Sequence, residues 1–398
     1  MDSKQNKDYS LKTKNLVSNL ANQTFHVKNS LINNCLKENS HSRAIRTIPD
    51  DKQNSFLVGV TAKNQNSEVI KAIYDELNKK ISTEIVLDFN KEKEGKEKQL
   101  INEIYSIYPR NTTEFLVNVF NSSSKKYELK LFNETKTDEY KDISCLDSDD
   151  IFDITNYKND IINCIDKNSI KSIDLLKNTV SNKLDIDTLN ESPIKISSDV
   201  SPLDENLVGC GICKDVFISD LKEKKPSLKI GDAHDNSVLC FQFDPVSPFI
   251  FCTSGTDYAL KFWDYRKPSS EFGGIYNNSH WIWSFKYNKN YTNIMITASS
   301  SSLVRGIVFD KYHDTDLKSN KVEGENVAGI SSSLASLGKY SSDKNVKQYS
   351  FIDYFEFEDS VYDIDWLKND SWLFVATSFN SYFHVNAIPE EIKYKIML

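Results

Sequence analysis

The chain has 398 residues, 27% of them charged, and a formal net charge of −8, a size that can bury one large core or several smaller ones. The acidic balance argues against nonspecific binding to nucleic acid, which requires positive charge to displace counterions from phosphates. No apolar run reaches the roughly 18 residues of a membrane span, and the N-terminus MDSKQNKDYS lacks the apolar core of a secretory signal. We therefore expect no nucleic-acid partner and no membrane insertion.

The first half of the chain mixes polar stretches with short strand-like runs. Residues 1–40 are rich in Asn, Lys and Ser, which predicts a polar segment without stable structure. The following runs, rich in β-branched and aromatic residues, predict two four-stranded units: FLVGV (56–60), EVIKAIYD (68–75), LINEIYSIYP (100–109), EFLVNVF (114–120) and KYELKLF (126–132). Residues 137–190 are rich in Asp, Asn, Ser and Lys, and we expect a polar insertion there with at most one irregular unit.

A further strand-rich unit begins at Pro193 and contains Cys210-Gly-Ile-Cys213, a spacing typical of zinc or redox sites. The surrounding residues predict strand, in which residues three apart point to opposite faces. No second cysteine or histidine pair is available to complete four ligands. The seven cysteines are odd in number and scattered, which indicates reduced thiols. We expect no metal and no cofactor.

The C-terminal half repeats strand-like runs with a period of roughly 40 residues, typical of WD40 propeller blades. The block from Gly231 to Asp264 has the full pattern of such a repeat. His234 stands near its start, Thr253 lies in the second strand, Asp257 in the next turn, and Trp263-Asp264 ends the third strand. We expect His234, Thr253, Asp257 and Trp263 to form a buried hydrogen-bond network, because a blade buries such polar groups only when each has a partner. A catalytic His/Asp pair is the alternative.

The neighbouring repeats depart from this pattern. The next block keeps a histidine, His280, but has Ser301 in place of the aspartate and Gly306 near the tryptophan position. The last block has Phe357 at the histidine position and Asn380 near the aspartate position. Between these two blocks lies the polar stretch 316–350, for which we predict a disordered loop.

These observations predict an all-β fold, a WD40-type β-propeller of about seven four-stranded blades. Seven blades of roughly 40 to 45 residues need about 280 to 315 residues, which the chain supplies. The propeller is placed at residues 41–398, with polar insertions at about 137–190 and 316–350. A strand near residues 42–48, or further upstream, is expected to complete the last blade and close the ring.

Several passages that are not part of the repeat resemble the EARP and GARP complex-interacting protein family. They are FWDYR followed by NNSHWIWSFKYN, then EDSVYDIDW leading into SWLFVATSF, and the ending AIPEEIKYKIML; the resemblance is strongest over residues 231–398. It implies a non-catalytic scaffold that binds the GARP and EARP tethering complexes in endosome-to-Golgi retrograde transport and endocytic recycling. It also implies a cytoplasmic protein, peripheral at the trans-Golgi network and endosomes.

Candidate binding residues are Trp281, Trp283 and Arg266. The two tryptophans are two positions apart and share one face of a strand, either packed between blades or exposed as an aromatic anchor at the rim. Arg266 ends a WDxR sequence similar to that of substrate receptors of cullin-type ubiquitin ligases, which are the alternative function. A histone-reading propeller and an enzyme acting at the central channel are further alternatives. No nucleophile motif or phosphate loop supports catalysis, and we expect no small-molecule substrate.

Overall fold

The computed structural model describes fourteen stretches of the chain: residues 25–27, 32–35, 40–49, 52–62, 67–89, 101–134, 140–143, 151–158, 160–186, 191–223, 227–247, 249–276, 278–309 and 349–397. Within them, seven sheets follow one another along the chain and form the blades of a β-propeller. The predicted fold class is therefore confirmed, including the number of blades and the four antiparallel strands in each.

Two short strands, β1 (Phe25–Val27) and β2 (Ile32–Cys35), precede the blades. Blade 1 contains β3 (Ser40–Thr47), β4 (Asn54–Ala62), β5 (Glu68–Asp75) and β6 (Lys80–Asp88). Blade 2 contains β7 (Ile101–Pro109), β8 (Glu114–Asn121), β9 (Lys126–Asn133) and β10 (Tyr140–Asp142). Blade 3 contains β11 (Asp153–Lys158), β12 (Ile161–Ile165), β13 (Ser169–Asp174) and β14 (Thr179–Asp185). Blade 4 contains β15 (Ile196–Val200), β16 (Leu207–Ile212), β17 (Asp215–Asp220) and β18 (Leu228–Ile230).

Blade 5 contains β19 (Val238–Phe243), β20 (Ile250–Gly255), β21 (Leu260–Asp264) and β22 (Gly273–Ile275). Blade 6 contains β23 (Ile282–Tyr287), β24 (Ile294–Ser299), β25 (Leu303–Phe309) and β26 (Tyr349–Glu356). Blade 7 contributes β27 (Val361–Trp366), β28 (Leu373–Ser378) and β29 (Tyr382–Ala387), and the helix α1 (Glu390–Met397) follows.

The ring is closed by the N-terminal part of the chain. Strand β2 pairs antiparallel with β29 and is the outermost strand of blade 7. Strand β1 adds a fifth, parallel strand to blade 6 beside β26. The closing strand thus lies upstream of residues 42–48, which instead belong largely to the first strand of blade 1. The segment predicted to be unstructured up to residue 40 contains both β1 and β2; the domain boundary at residue 41 stays a prediction.

Residues 137–190, predicted to be a polar insertion, contain blade 3 as a complete four-stranded sheet. Composition misled here because the polar residues alternate with buried apolar ones. Ile162, Cys164, Ile170 and Ile173 are fully or almost fully buried. Their neighbours Asn163 and Ser172 are also buried and hydrogen-bonded to each other, whereas the polar residues of β14 are exposed. The other predicted insertion, 316–350, lies outside the described residues except for its last two, which begin β26.

The core lies between blades. Large aromatic side chains with 0–1% exposure fill it, among them Phe56, Phe217, Phe251, Phe285 and Phe374. Burial of one such side chain stabilises the fold by about 1.5–3 kcal/mol. Packing is tight enough to require glycine at Gly209, where an added Cβ would lie 2.2 Å from the Phe241 ring of the next blade.

The C-terminal helix α1 packs on blades 6 and 7. Glu390 and Glu391 occupy its first turn, where negative charge is favourable at the positive end of the helix dipole. Ile392 and Ile396, four residues apart, are buried in the core cluster shared by these blades. Among the helices in the described stretches, none has the length and apolar character needed to cross a bilayer.

Candidate functional site

The structure brings the four residues expected to form a polar network together inside blade 5. His234 is fully buried, and its Nδ1 lies 2.8 Å from Asp257 Oδ1. Its Nε2 lies 2.7 Å from Thr253 Oγ1, which also accepts a hydrogen bond of 2.9 Å from Trp263 Nε1. The chain of contacts connects the turn after β20 with the end of β21. It therefore holds together three segments of one blade: the loop before β19, β20 with the turn that follows it, and β21.

A neutral His234 satisfies every group of this network. Nδ1–H donates to the Asp257 carboxylate, and Nε2 accepts from the Thr253 hydroxyl, whose oxygen accepts from Trp263. Burial alone would raise the pKa of Asp257, but the hydrogen bonds from His234 and from the Asp235 amide, together with the charge of Lys261, outweigh it and lower the pKa to about 2. All four side chains face into the blade, so the network is structural.

Blades 6 and 7 have other residues at these positions. The strand register places Asn278, not His280, at the position of His234; Asn278 donates to the Tyr258 and Ile275 carbonyls. His280 is exposed and accepts from the amide of Trp281. The expectation that His280 keeps the network position is therefore wrong. In blade 7, Phe357 occupies the place of the imidazole.

The first strand of each blade lines a central channel of about 700 Å³. Side chains of one first strand accept hydrogen bonds from backbone amides of the next. Asp199 accepts from Phe243, Gln242 accepts from Tyr287, and Asp153 accepts from Ser198, at 3.0, 3.1 and 2.7 Å. These pairs are separated by 44 or 45 residues, one blade repeat. These pairs were not predicted from the sequence, although polar residues alternate with apolar ones in VYDIDW.

The same pattern joins the last blade to the first. Asp363 accepts from the Ile45 amide at 3.2 Å, and Asp365 accepts from the Thr47 amide at 3.0 Å and its hydroxyl at 2.7 Å. Arg46 forms an ion pair with Asp363. Burial would raise the pKa of Asp365, but Lys368, Lys286 and Arg46 together with the Thr47 amide lower it to about 2. These carboxylates hold the ring closed, and the described channel lining includes no histidine to act as a base beside them.

We call the end of the channel where the first strands begin the upper mouth, and the other end the lower mouth. At the upper mouth, half-buried aromatic rings of blades 6, 7 and 1 form a continuous row. Trp281 and Trp283 meet edge-to-face at 5.6 Å, and Trp283 lies 4.6 Å from Tyr362. Tyr362 contacts Phe379 at 5.6 Å, which stacks on His41 at 5.1 Å. Trp283 also donates to Ser300 Oγ at 2.5 Å.

Arg43 extends this row into blade 2. Its guanidinium lies 5.2 Å from the Tyr362 ring centre and 6.0 Å from that of Tyr105, and its Nε lies 2.9 Å from Glu103 Oε1. Tyr105 packs edge-to-face on Tyr127 at 5.1 Å. Burial would raise the pKa of Glu103, but His41 and Arg43 lower it below its ordinary value. We call the whole surface the aromatic ledge: Trp281, Trp283, Tyr362, Phe379, His41, Arg43, Glu103, Tyr105 and Tyr127.

Half-exposed aromatic rings held in place by an arginine are typical of protein-binding surfaces, since they offer a large contact area at little entropic cost. Neither Trp281 nor Trp283 is fully buried, while Ile282 between them is. The aromatic ledge is therefore the candidate recognition surface of this propeller.

Arg266 lies at the opposite end of the ring, just after β21. Its guanidinium is engaged within its own loop: Nε lies 2.9 Å from Asp264 Oδ1, and Nη2 lies 2.6 Å from Asp264 Oδ2. It also lies over the Phe249 ring at 4.2 Å. The structure thus separates Arg266 from the two tryptophans by the height of the ring.

Cys210 and Cys213 do not converge on a site. Cys210 lies in β16 and is fully buried, so that burial raises the pKa of its thiol far above its ordinary value. Cys213 follows in the turn with a positive φ of 51°. Within the described stretches, no group of three or more His, Cys, Asp or Glu side chains is arranged to hold a metal ion.

Comparison with known proteins places this ring in a family. The sequence profile of the EIPR1 beta-propeller matches residues 36–305, more than half of the chain. The rat EARP and GARP complex-interacting protein 1 is 30% identical over 170 residues, which cover 42% of each chain, and the human protein is 29% identical over 170 residues. The EARP-interacting protein 1 of Caenorhabditis elegans is 25% identical over 209 residues, 52% of this chain and 55% of that protein. The alignments thus span about half the length of these relatives or less.

Proposed function

The chain belongs to the EIPR1 β-propeller family, and we propose that it is a non-catalytic adaptor that binds EARP- and GARP-type tethering complexes. The match over residues 36–305 carries this proposal, because the relatives are named for interaction with these complexes. The matched region contains most of the aromatic ledge, including His41, Arg43, Tyr105, Trp281 and Trp283.

The aromatic ledge supplies the contact surface in this proposal. Exposed loops and strand ends on a rigid ring are the usual place for recognition residues. The rings of the ledge suit apolar side chains of a partner segment, while Arg43 and Glu103 at its edge suit polar ones. The buried network of blade 5 and the wall of the channel hold the ring rigid beneath it.

The cellular role follows from the partners. A propeller bound to these complexes acts in endosome-to-Golgi retrograde transport and endocytic recycling, as a cytoplasmic protein peripheral at the trans-Golgi network and endosomes. Partner binding is tested by affinity purification of the tagged chain from its own cells, followed by mass spectrometry. Recovery of shared tether subunits supports the proposal.

The same experiment distinguishes the alternative, a substrate receptor of a cullin-type ubiquitin ligase. In that role Arg266 would contact an adaptor, but its guanidinium is already paired with Asp264. Recovery of a cullin adaptor that disappears with Arg266→Ala, in the absence of tether subunits, would replace the trafficking proposal with the ligase one.

A further inference from the structure

The lower mouth of the channel has a chemistry opposite to that of the aromatic ledge. Three lysines of blades 6 and 7 line it: Lys286 near the end of β23, Lys289 in the loop that follows, and Lys368 in the loop after β27. We call them the lysine cluster. Arg46, from the end of β3, lines the same cavity.

Among the described residues, none forms a salt bridge with the lysine cluster. In the described part of the chain, the ion pair at this mouth joins Arg46 to Asp363, and no carboxylate lies within 4 Å of a lysine of the cluster. The nearby Asp365 directs its Oδ2 to the amide and hydroxyl of Thr47, and its Oδ1 to the amide of Trp366. Both oxygens of this carboxylate are thus hydrogen-bonded to the wall, and Lys368 and Lys286 interact with it only at a longer range than a salt bridge.

The cationic groups are close enough to repel one another. Asp365 raises the pKa of Lys368, but burial and the charges of Lys289, Lys286 and Arg46 together lower it below its ordinary value. Such repulsion costs free energy in the empty site and is relieved when an anion binds between the cations. Asp199, which faces the same cavity, offsets part of this positive charge: burial raises its pKa to about 6, so that its carboxyl is still mostly ionised near neutrality.

Neutral groups complete the mouth. Asn288 donates to the Ser371 carbonyl at 2.6 Å, and Asn290 donates to the Ser371 hydroxyl. These contacts fix the loop after β23, which carries Lys289, against the loop after β27, which carries Lys368. The lysine cluster is therefore presented by two loops that hold each other in place, in a cavity of the size that small ligands occupy.

We propose that the lower mouth binds a small anion that carries several phosphate groups. Ammonium groups bind phosphate oxygens through charge-assisted hydrogen bonds. A ligand with several phosphates is required because it must engage three lysines and overcome the carboxylates of the channel wall. The shared chemistry is that of an inositol polyphosphate, either free in solution or as the headgroup of a lipid.

The test is isothermal titration calorimetry of the full chain with inositol hexakisphosphate at about 0.15 M salt, where surface charges are largely screened. The triple variant Lys286→Gln, Lys289→Gln, Lys368→Gln is expected to bind at least tenfold more weakly than the wild type. The matched control is Lys79→Gln, Lys222→Gln, Lys267→Gln, which removes the same charge from loops at the same end of the ring. It is expected to change the affinity by less than twofold.

Vesicles that contain a phosphoinositide distinguish a ligand that is free in solution from the headgroup of a lipid. Binding of the free probe that depends on the lysine cluster identifies a soluble ligand; binding to vesicles alone with the same dependence identifies a headgroup. Absence of both, or equal losses in the control variant, would overturn the proposal. If the triple variant fails to fold, Lys368→Gln alone replaces it. Variants of the aromatic ledge lie at the other mouth and leave this binding unchanged, so the proposal is independent of the proposed function.

Discussion

The blade 5 network and the aromatic ledge are built from the same types of side chain and do different things. The network joins His234, Asp257 and Trp263, and the ledge joins His41, Glu103 and Trp283. In the network the imidazole is fully buried and both of its nitrogens have partners. In the ledge the rings are half-buried and contact one another across blades. Burial and hydrogen-bond saturation, not residue type, separate a structural group from a recognition group.

The largest expected effect is on stability. His234→Ala leaves Asp257 and Thr253 buried without their partner and creates a cavity, which should lower the free energy of unfolding by about 2–4 kcal/mol. Urea unfolding followed by intrinsic fluorescence measures it. His280→Ala is the matched control: the ring of His280 is exposed, and we expect a change below about 0.5 kcal/mol. Equal losses of unfolding free energy in the two variants would show that burial does not determine how much each histidine contributes to stability.

Substitution in the aromatic ledge should weaken partner binding and change stability little. Trp283→Ala removes the ring that links Trp281 to Tyr362, and we expect partner binding to weaken about 10- to 100-fold, as for a central aromatic anchor. The unfolding free energy should fall by no more than about 1 kcal/mol, since the ring is half-buried. Biolayer interferometry with the purified partner complex provides the affinity. Unchanged affinity in a folded variant would remove Trp283 from the interface.

His384 in blade 7 extends the comparison to a buried histidine without a full set of partners. It lies 3.9 Å from the Phe357 ring, and among the described residues its Nδ1 has no hydrogen-bond partner. Burial lowers its pKa to about 4. Because the unfolded chain takes up the proton near pH 6.5 and the folded chain does not, stability is lost as pH falls from about 7 towards 4.

The expected loss through His384 between pH 7 and pH 5 is about 1–2 kcal/mol. His384→Gln, which does not titrate, should remove that part of the pH dependence in urea unfolding measured at both pH values. The His280→Ala variant serves as the reference, because it removes a histidine that is exposed. A wild-type slope that persists in His384→Gln would assign the pH dependence to other groups.

The smallest effect is expected at Arg266. Its pair with Asp264 is exposed on the lower side of the ring, and exposed ion pairs contribute about 0–1 kcal/mol. Arg266→Ala should therefore leave both the unfolding free energy and the affinity for the tether complex nearly unchanged. A loss of partner binding as large as that of Trp283→Ala would move the interface to the opposite end of the ring.

The sequence predicts the parts of this molecule that depend on local pattern. The strand-like runs predict the propeller. The spacing of the four network residues, His234, Thr253, Asp257 and Trp263, predicts one network, because all four lie within a single complete repeat. The expectation for His280 is wrong because His280 lies two residues before β23, whereas His234 lies four residues before β19; Asn278 therefore takes the network position. Composition also obscured blade 3, because the exposed Asn, Asp and Lys residues of its outer strand β14 made the segment resemble a polar insertion.

Contacts between blades could not be derived in this way. The aromatic ledge joins His41 to Phe379 and Trp283 to Tyr362, which are far apart in sequence and meet only when the ring closes. The pairing of Asp363 and Asp365 with the first strand of blade 1 likewise crosses 318 residues. Single residues such as Trp283 can be proposed from the sequence, but the surface they form requires the register of all seven blades.

Hydrogen–deuterium exchange of the full chain, alone and bound to the purified tether complex, tests the central claim most directly. The claim predicts slower exchange on binding at the strand ends and turns of the upper mouth, around residues 40–43, 279–283, 360–362 and 379–381. Loops of the lower side around residues 264–267 should exchange at the same rate in both states. Protection centred on residues 264–267, with the upper mouth unchanged, would contradict the assignment of the aromatic ledge as the recognition surface.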